Sequence, residues 1–242
     1  TGVNLNAVAG VLSAGASSSI SGTTAAATAF RVSASNATVN YGGTISATTG
    51  TGVNLSGNTG SSINFSGALT LSTGANAAFT ASGGGTVTAT DTTSTLVTTT
   101  ATALSVVNTT IGASGLKFRS ISAGTAGSGP SSGIVLNNTG AAGGLTVSGT
   151  GSAGSGGVIQ KATAPGISLT STFGTSLSFM NVINGTDDGI NASSATNLSL
   201  TSLQVTNNGD SVTDEGLELL NAGGTLTISN TSETAVSFSY AE

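Results

Sequence analysis

Apolar and polar residues alternate in short runs from one end of this chain to the other. The clearest run has the form glycine, apolar, polar, apolar. It occurs as Gly2-Val3-Asn4-Leu5, Gly52-Val53-Asn54-Leu55, Gly115-Leu116-Lys117-Phe118, Gly166-Ile167-Ser168-Leu169, Gly189-Ile190-Asn191-Ala192 and Gly216-Leu217-Glu218-Leu219. Gly133-Ile134-Val135-Leu136 is a variant with Val135 in the polar slot. Alternation with period 2 marks a half-buried strand, and each run is too short for a helix.

The runs recur at a spacing that predicts a solenoid. Taking one leading apolar residue per turn gives Val3, Phe30, Val53, Ala78, Leu104, Ile134, Ile167, Ile190, Leu217 and Val236. The mean step is about 26 residues, within the range of known solenoid repeats. Second strands are expected at Val39, Ile63, Val87, Leu116, Leu145, Leu177, Leu198 and Leu226, and third strands at Ile20, Ile45, Leu69, Leu96, Ile121, Val158, Val182 and Leu203. Three strands per turn describe an all-β fold, a right-handed parallel β-helix (solenoid) of about nine turns. The hand follows from the rule for parallel crossovers. Turns stacked about 4.8 Å apart would make a single continuous rod, spanning residues 1–242, roughly 43 Å long.

In this frame one inward column of second strands reads Tyr41, Phe65, Ala89, Phe118, Val147, Phe179, Leu200 and Ile228. Stacking in such a column contributes roughly 1.5–3 kcal/mol for each large side chain buried. The intervening outward residues are Asn40, Asn64, Thr88, Lys117, Thr146, Ser178, Ser199 and Thr227, all polar. Pro130 and Pro165 fall shortly before leading glycines, where a missing N–H is tolerated. The stretch between Val147 and Val158 holds only Gly, Ser, Ala and Thr and is expected at the surface.

Composition changes this picture little. Charged residues make up 5% of the chain, far below the usual quarter, so Ser, Thr, Asn and Gly must keep the surface wet. Cys, His and Trp are absent. That removes disulfides, thiolate metal sites and the commonest bases and nucleophiles. No apolar run is long enough to span a bilayer as a helix, and no signal peptide is visible. The strand pattern is present at Val3 and runs on to Tyr240, so a segment of a longer chain or a fibre subunit is expected.

The region from about 102 to 205 includes Ile111-Gly112-Ala113-Ser114-Gly115-Leu116, Gly143-Gly144-Leu145-Thr146-Val147 and Gly151-Ser152-Ala153-Gly154-Ser155-Gly156-Gly157. It resembles the right-handed parallel β-helix repeats of large bacterial surface proteins, similar in style to autotransporter passengers and filamentous adhesins. The resemblance implies an exported, cell-surface or extracellular role, fibrous or adhesive. It supplies no active-site residues.

Charge is unevenly placed. Arg31, Lys117, Arg119 and Lys161, against Asp91 alone, give residues 1–161 a net charge of +3, whereas eight carboxylates give residues 162–242 a net charge of −8. Four scattered cations make no nucleic-acid footprint. The sharpest candidate site is acidic. Asp187 and Asp188 precede Gly189, and Asp214 and Glu215 precede Gly216. In register, both pairs occupy one corner of successive turns, about 5 Å apart. Such oxygens suit a hard cation such as Ca²⁺, with Asn184, Asn207, Asn208 and Asp210 as further oxygen donors. The plain alternative is a solvated acidic corner. Two carboxylates at this separation could also serve a glycosidase, but the absence of nearby cations and of His favours a non-enzyme. A flat threonine array for binding ice is not supported by the mixed outward column. Glycine runs such as Gly83-Gly84-Gly85 lack the Lys-Ser/Thr of a phosphate loop.

The sequence therefore predicts a structural module, a stiff surface rod or filament. Self-association, head to tail or lateral, or continuation by further repeats would extend it, and surface glycans are candidate targets. The competing expectation is a carbohydrate-binding or carbohydrate-cleaving module built on the acidic corner.

Overall fold

The structure, a computed structural model, describes residues 2–22, 24, 26–233 and 236–239; Tyr240 lies outside them. Among the described residues there is no helix, and the strands form three parallel sheets of ten, nine and nine strands. Each strand inside a sheet pairs with its counterpart one turn earlier and one turn later, and each end strand with one neighbour, so the chain is a β-solenoid of about nine turns. Short strands can support such a stack because every ladder hydrogen bond runs between turns, and each turn buries its apolar positions against the next.

The first sheet follows the predicted register with one exception. Its leading column reads Val3, Phe30, Val53, Phe79, Leu104, Ile134, Ile167, Ile190, Leu217 and Val236. Phe79 leads its turn, not Ala78. Placing Ala78 inward would turn the ring of Phe79 to water, and a one-residue slip reverses every side chain. The observed frame buries Phe79 fully.

The second sheet departs from expectation at two places. Thr86 and Val87 pair with Thr110 and Ile111, but Ala89 pairs with Leu116. Four residues, Gly112 to Gly115, therefore stand opposite Thr88 alone. This bulge makes Leu116, not Phe118, the partner of Ala89, while Ile111 continues the line of Val87. Further on, Val147 pairs with Leu177 and Leu177 with Leu200. Leu198 consequently does not lead its strand, and Ser176, not Ser178, stands beside Thr146. Phe179 is instead a half-buried corner residue with φ of 57°. In the third sheet Leu96 pairs with Leu71, Ile159 rather than Val158 faces inward, and Val205 rather than Leu203 pairs with Val182.

The interior of the early turns holds a zigzag of aromatic rings. Phe30 packs edge-to-face on Tyr41 and on Phe65, with centroids 5.1 Å apart in both pairs. Phe65 meets Phe79 at 6.0 Å, and Phe79 meets Phe118 at 6.2 Å. Edge-to-face geometry sets the positive rim of one ring against the negative face of the next.

The bend after the first sheet is made by one left-handed residue in each turn. Ala7, Ala34, Gly57, Gly83, Asn108, Asn138, Ser171, Ser194 and Asn221 all have positive φ. The backbone N–H of Ala34 donates to Ser56 O at 2.9 Å, that of Gly57 to Ser82 O at 2.8 Å, and that of Asn138 to Thr170 O at 3.0 Å. The ladder thus continues around the corner, and the left-handed residue turns the chain without orphaning a donor. Just inside this corner lies Asn58, 1% exposed. Its Oδ1 accepts the Ser35 N–H at 3.1 Å and its Nδ2 donates to Val32 O at 2.9 Å.

Candidate functional site

The corner that leads into the first sheet brings the acidic residues together. The N–H of Gly166 donates to Asp188 O at 2.9 Å, and that of Gly189 to Glu215 O at 2.8 Å. Pro165, Asp188 and Glu215 consequently stack, with Ala164, Asp187 and Asp214 stacked beside them. The links that present them differ in length. From Asn184 the chain reaches Gly189 directly. From Asn207 it makes an outward loop over Gly209 to Asp214 before reaching Gly216. Asn184 and Asn207 have φ of 58° and 56° and turn the chain at equivalent places.

Asparagine and aspartate side chains hold this corner in shape. Asn208 donates from Nδ2 to Val182 O at 2.9 Å, and its Oδ1 accepts the Gly185 N–H at 3.0 Å. It therefore acts as Asn58 does at another corner. Its oxygen is already engaged with the backbone and is a poor extra cation ligand. Asp214 Oδ2 accepts the backbone N–H of Asp210 at 3.0 Å and of Ser211 at 2.9 Å, which closes the loop and leaves Val212 fully in solvent.

Asp188 is the centre of the cluster and is only 6% exposed. Its Oδ1 accepts the Glu215 N–H at 2.8 Å, and its Oδ2 accepts Asn191 Nδ2 at 3.0 Å. Asp187 Oδ1 accepts the Asp188 N–H at 2.7 Å. Asp187, Asp188 and Asp214 each present a carboxylate oxygen within 4.8 Å of the others. Of the four expected residues, these three form that group. Glu215 joins it through its backbone N–H, and its side chain lies against Asp188.

Two further residues belong to the cluster. Asn191 and Glu218 are register partners on adjacent strands, and Asn191 Nδ2 also donates to Glu218 Oε2. The signal for them was present in the sequence. Both occupy the polar slot of a glycine-led run, and stacking those runs puts the two side chains next to each other.

The electrostatics follow from crowding. Glu215 has its pKa raised, first by burial and then by the negative charges of Asp188 and Asp214. Glu218 is raised by burial and by Asp188 and Glu215, and the hydrogen bond from Asn191 works in the other direction. Chemically, the corner offers clustered carboxylate oxygens of the kind hard cations prefer, and two glutamates that take up protons more readily than usual.

Compared with protein-family models, with curated proteins and with solved structures, the chain matches none of them. Among the described residues no helix is long and apolar enough to cross a membrane.

Proposed function

We propose that the chain is a structural repeat module, a stiff rod or filament segment that works outside the cell and at its surface, in an adhesive or scaffolding role. The observation that supports this most is the unbroken stack. Three ladders run in parallel through about nine turns around one apolar interior. Bending such a rod requires ladder hydrogen bonds on one side to lengthen together. The side chains it shows to water are mainly Ser, Thr, Asn and Gly, which suits a scaffold more than a site that must move protons.

A solenoid can be extended by the same contacts that join its turns, whether to further repeats or to another copy. We therefore read self-association, head to tail or lateral, as the mode of partnership. The acidic corner supports catalysis poorly. Each oxygen of Asp188 accepts one bond, from the Glu215 N–H and from Asn191, so this carboxylate helps hold the corner in shape.

Electron microscopy of the full chain tests the reading. Straight rods, or filaments with layers that divide into about 4.8 Å, are the expected result. Globular particles with no long axis would refute it. Surface labelling of intact source cells tests the location: the chain should be labelled without lysis, and labelling only after lysis would overturn the extracellular part.

A further inference from the structure

The second sheet carries a concavity on its outer face, remote from the acidic corner. It has a volume of about 670 Å³, within the usual range for ligand sites. Its floor is two outward columns crossing the first four turns. One is Ser13, Asn40, Asn64 and Thr88, in register. The other continues each strand past its inward aromatic or small residue and includes Gly15, Gly42, Ser66 and Thr90. Glycine at the first two of these positions makes the trough deep at one end. At the other end the bulge of the fifth turn closes it, and Ser114 at its crest lines the trough.

The polar groups of the floor are already oriented. Asn64 Nδ2 donates to Asn40 Oδ1 at 3.0 Å, and Thr88 Oγ1 donates to Asn64 Oδ1 at 2.9 Å. Asn64 Nδ2 also donates to Ser62 Oγ at 3.3 Å and Thr88 is buried, so the chain fixes which end of each amide faces which way, and the polar groups most open to the trough are those of Ser13 and Asn40, on successive turns about 4.8 Å apart. No charged side chain lines the trough.

We propose that this trough binds a neutral, polyhydroxylated chain, an oligosaccharide without carboxylate or sulfate groups. Sugar hydroxyls both donate and accept, as amide and hydroxyl side chains do, and an extended chain of them matches a row of repeated polar sites. An anionic ligand would lose its hydration and find no cation in return. An extended peptide would need a free strand edge or apolar side pockets. Here the strands beneath the trough are paired on both sides except Ala9–Ala14, the edge strand of its sheet, whose open side points along the stacking direction and not into the trough; the outward side chains of the floor are Ser, Asn and Thr, beside Ala14 and Ala16. Without an exposed aromatic platform the affinity is expected to be modest, with Kd of about 1 mM.

The test is a titration of the full ¹⁵N-labelled chain with cellohexaose, mannohexaose and chitohexaose, and with hexagalacturonate as the anionic control. At least one neutral hexasaccharide should shift the side-chain amide signals of Asn40 and Asn64, and hexagalacturonate should not. Gly15→Trp blocks the trough. A Cβ at Gly15 meets nothing within 4 Å, so the fold should keep its thermal midpoint while binding is lost. Asn64→Ala removes the centre of the side-chain ladder and should weaken binding by about two- to tenfold, as expected for one net hydrogen bond. The proposal is overturned if no neutral hexasaccharide shifts these signals, if Gly15→Trp leaves binding unchanged, or if hexagalacturonate binds equally well. Concentration-dependent sedimentation abolished by Gly15→Trp would also overturn it, by showing that a second copy occupies the trough.

Discussion

The frame of the first sheet can be tested at Phe79. Its ring is fully buried and lies 6.0 Å from Phe65 and 6.2 Å from Phe118. In the ladder it sits between Val53 and Leu104. Truncating a buried Phe to Ala costs about 3–5 kcal/mol. Two edge-to-face contacts supply about 0.5–1.5 kcal/mol each beyond simple burial. Val53 and Leu104 are tied to turns on both sides, so their backbones cannot close in on the vacated space. We therefore expect Phe79→Ala to cost about 5 kcal/mol, the upper end of that range. The control is Thr80→Ala. Thr80 faces outward and its hydroxyl donates to Val53 O at 3.3 Å, so the loss should be about 0.5 kcal/mol, as for most surface changes. Urea unfolding followed by circular dichroism measures both, with the shift in midpoint read at constant slope. A loss under about 1 kcal/mol for Phe79→Ala, with a larger loss for Thr80→Ala, would refute the frame and favour Ala78 as the inward residue.

Three other outcomes are expected. Asn58→Ala leaves the buried Ser35 N–H without its partner and removes the side-chain bond to Val32 O, and should lower stability by about 1–3 kcal/mol by the usual cost of a stranded polar group, measured by the same urea titration. Ala34 holds φ of 48° and is exposed; Ala34→Gly relieves a left-handed strain of about 1–2 kcal/mol against an entropy cost of about 0.4–1 kcal/mol, so the thermal midpoint should rise slightly, and a fall would count against the corner geometry. Glu215 and Glu218 have raised pKa values in the folded chain, so the folded state takes up protons more readily than the unfolded one; stability from these groups therefore grows as pH falls through the raised values and is complete below the ordinary glutamate value of about 4.3. Differential scanning fluorimetry should show a higher midpoint at about pH 5 than at pH 7, and Glu218→Gln should flatten that difference.

Much of the fold was legible because its signal is carried by spacing. The leading residues from Leu104 to Val236 sit where the alternating runs place them, glycine-led from Ile134 to Leu217. Errors arose where two apolar residues compete for one slot. Ala78 and Phe79 are adjacent and both fully buried, so period alone could not choose between them. Leu116 and Phe118 fit the second sheet equally well two residues apart, and only the bulge decides. The corner column from Ala7 to Asn221 was not legible. Alanine, glycine, asparagine and serine all serve there, because what is shared is a backbone conformation and not a side chain. The acidic corner was found by adjacency to glycine. Asn191 and Glu218 were passed over because they read as ordinary outward strand residues.

Function is harder to read than fold here because regularity and recognition pull in different directions. A ladder that repeats without interruption presents the same surface at every turn and selects nothing. Selectivity must come from the places where the repeat breaks. The Gly112 to Gly115 bulge raises a wall on the second sheet. The loop from Gly149 to Gly156 leaves the stack between the second and third sheets, closed by Ser155 Oγ accepting the Thr150 N–H at 2.9 Å and donating to Ser152 O at 2.6 Å. The loop from Gly209 to Asp214 leaves it between the third and first sheets, closed by Asp214. Each insertion spares the inward residues on either side, so the rod keeps its ladder. Deleting Ala113 and Ser114 should accordingly leave the solenoid folded while opening one end of the trough. A deletion that unfolds the chain would instead show that the bulge is part of the stack.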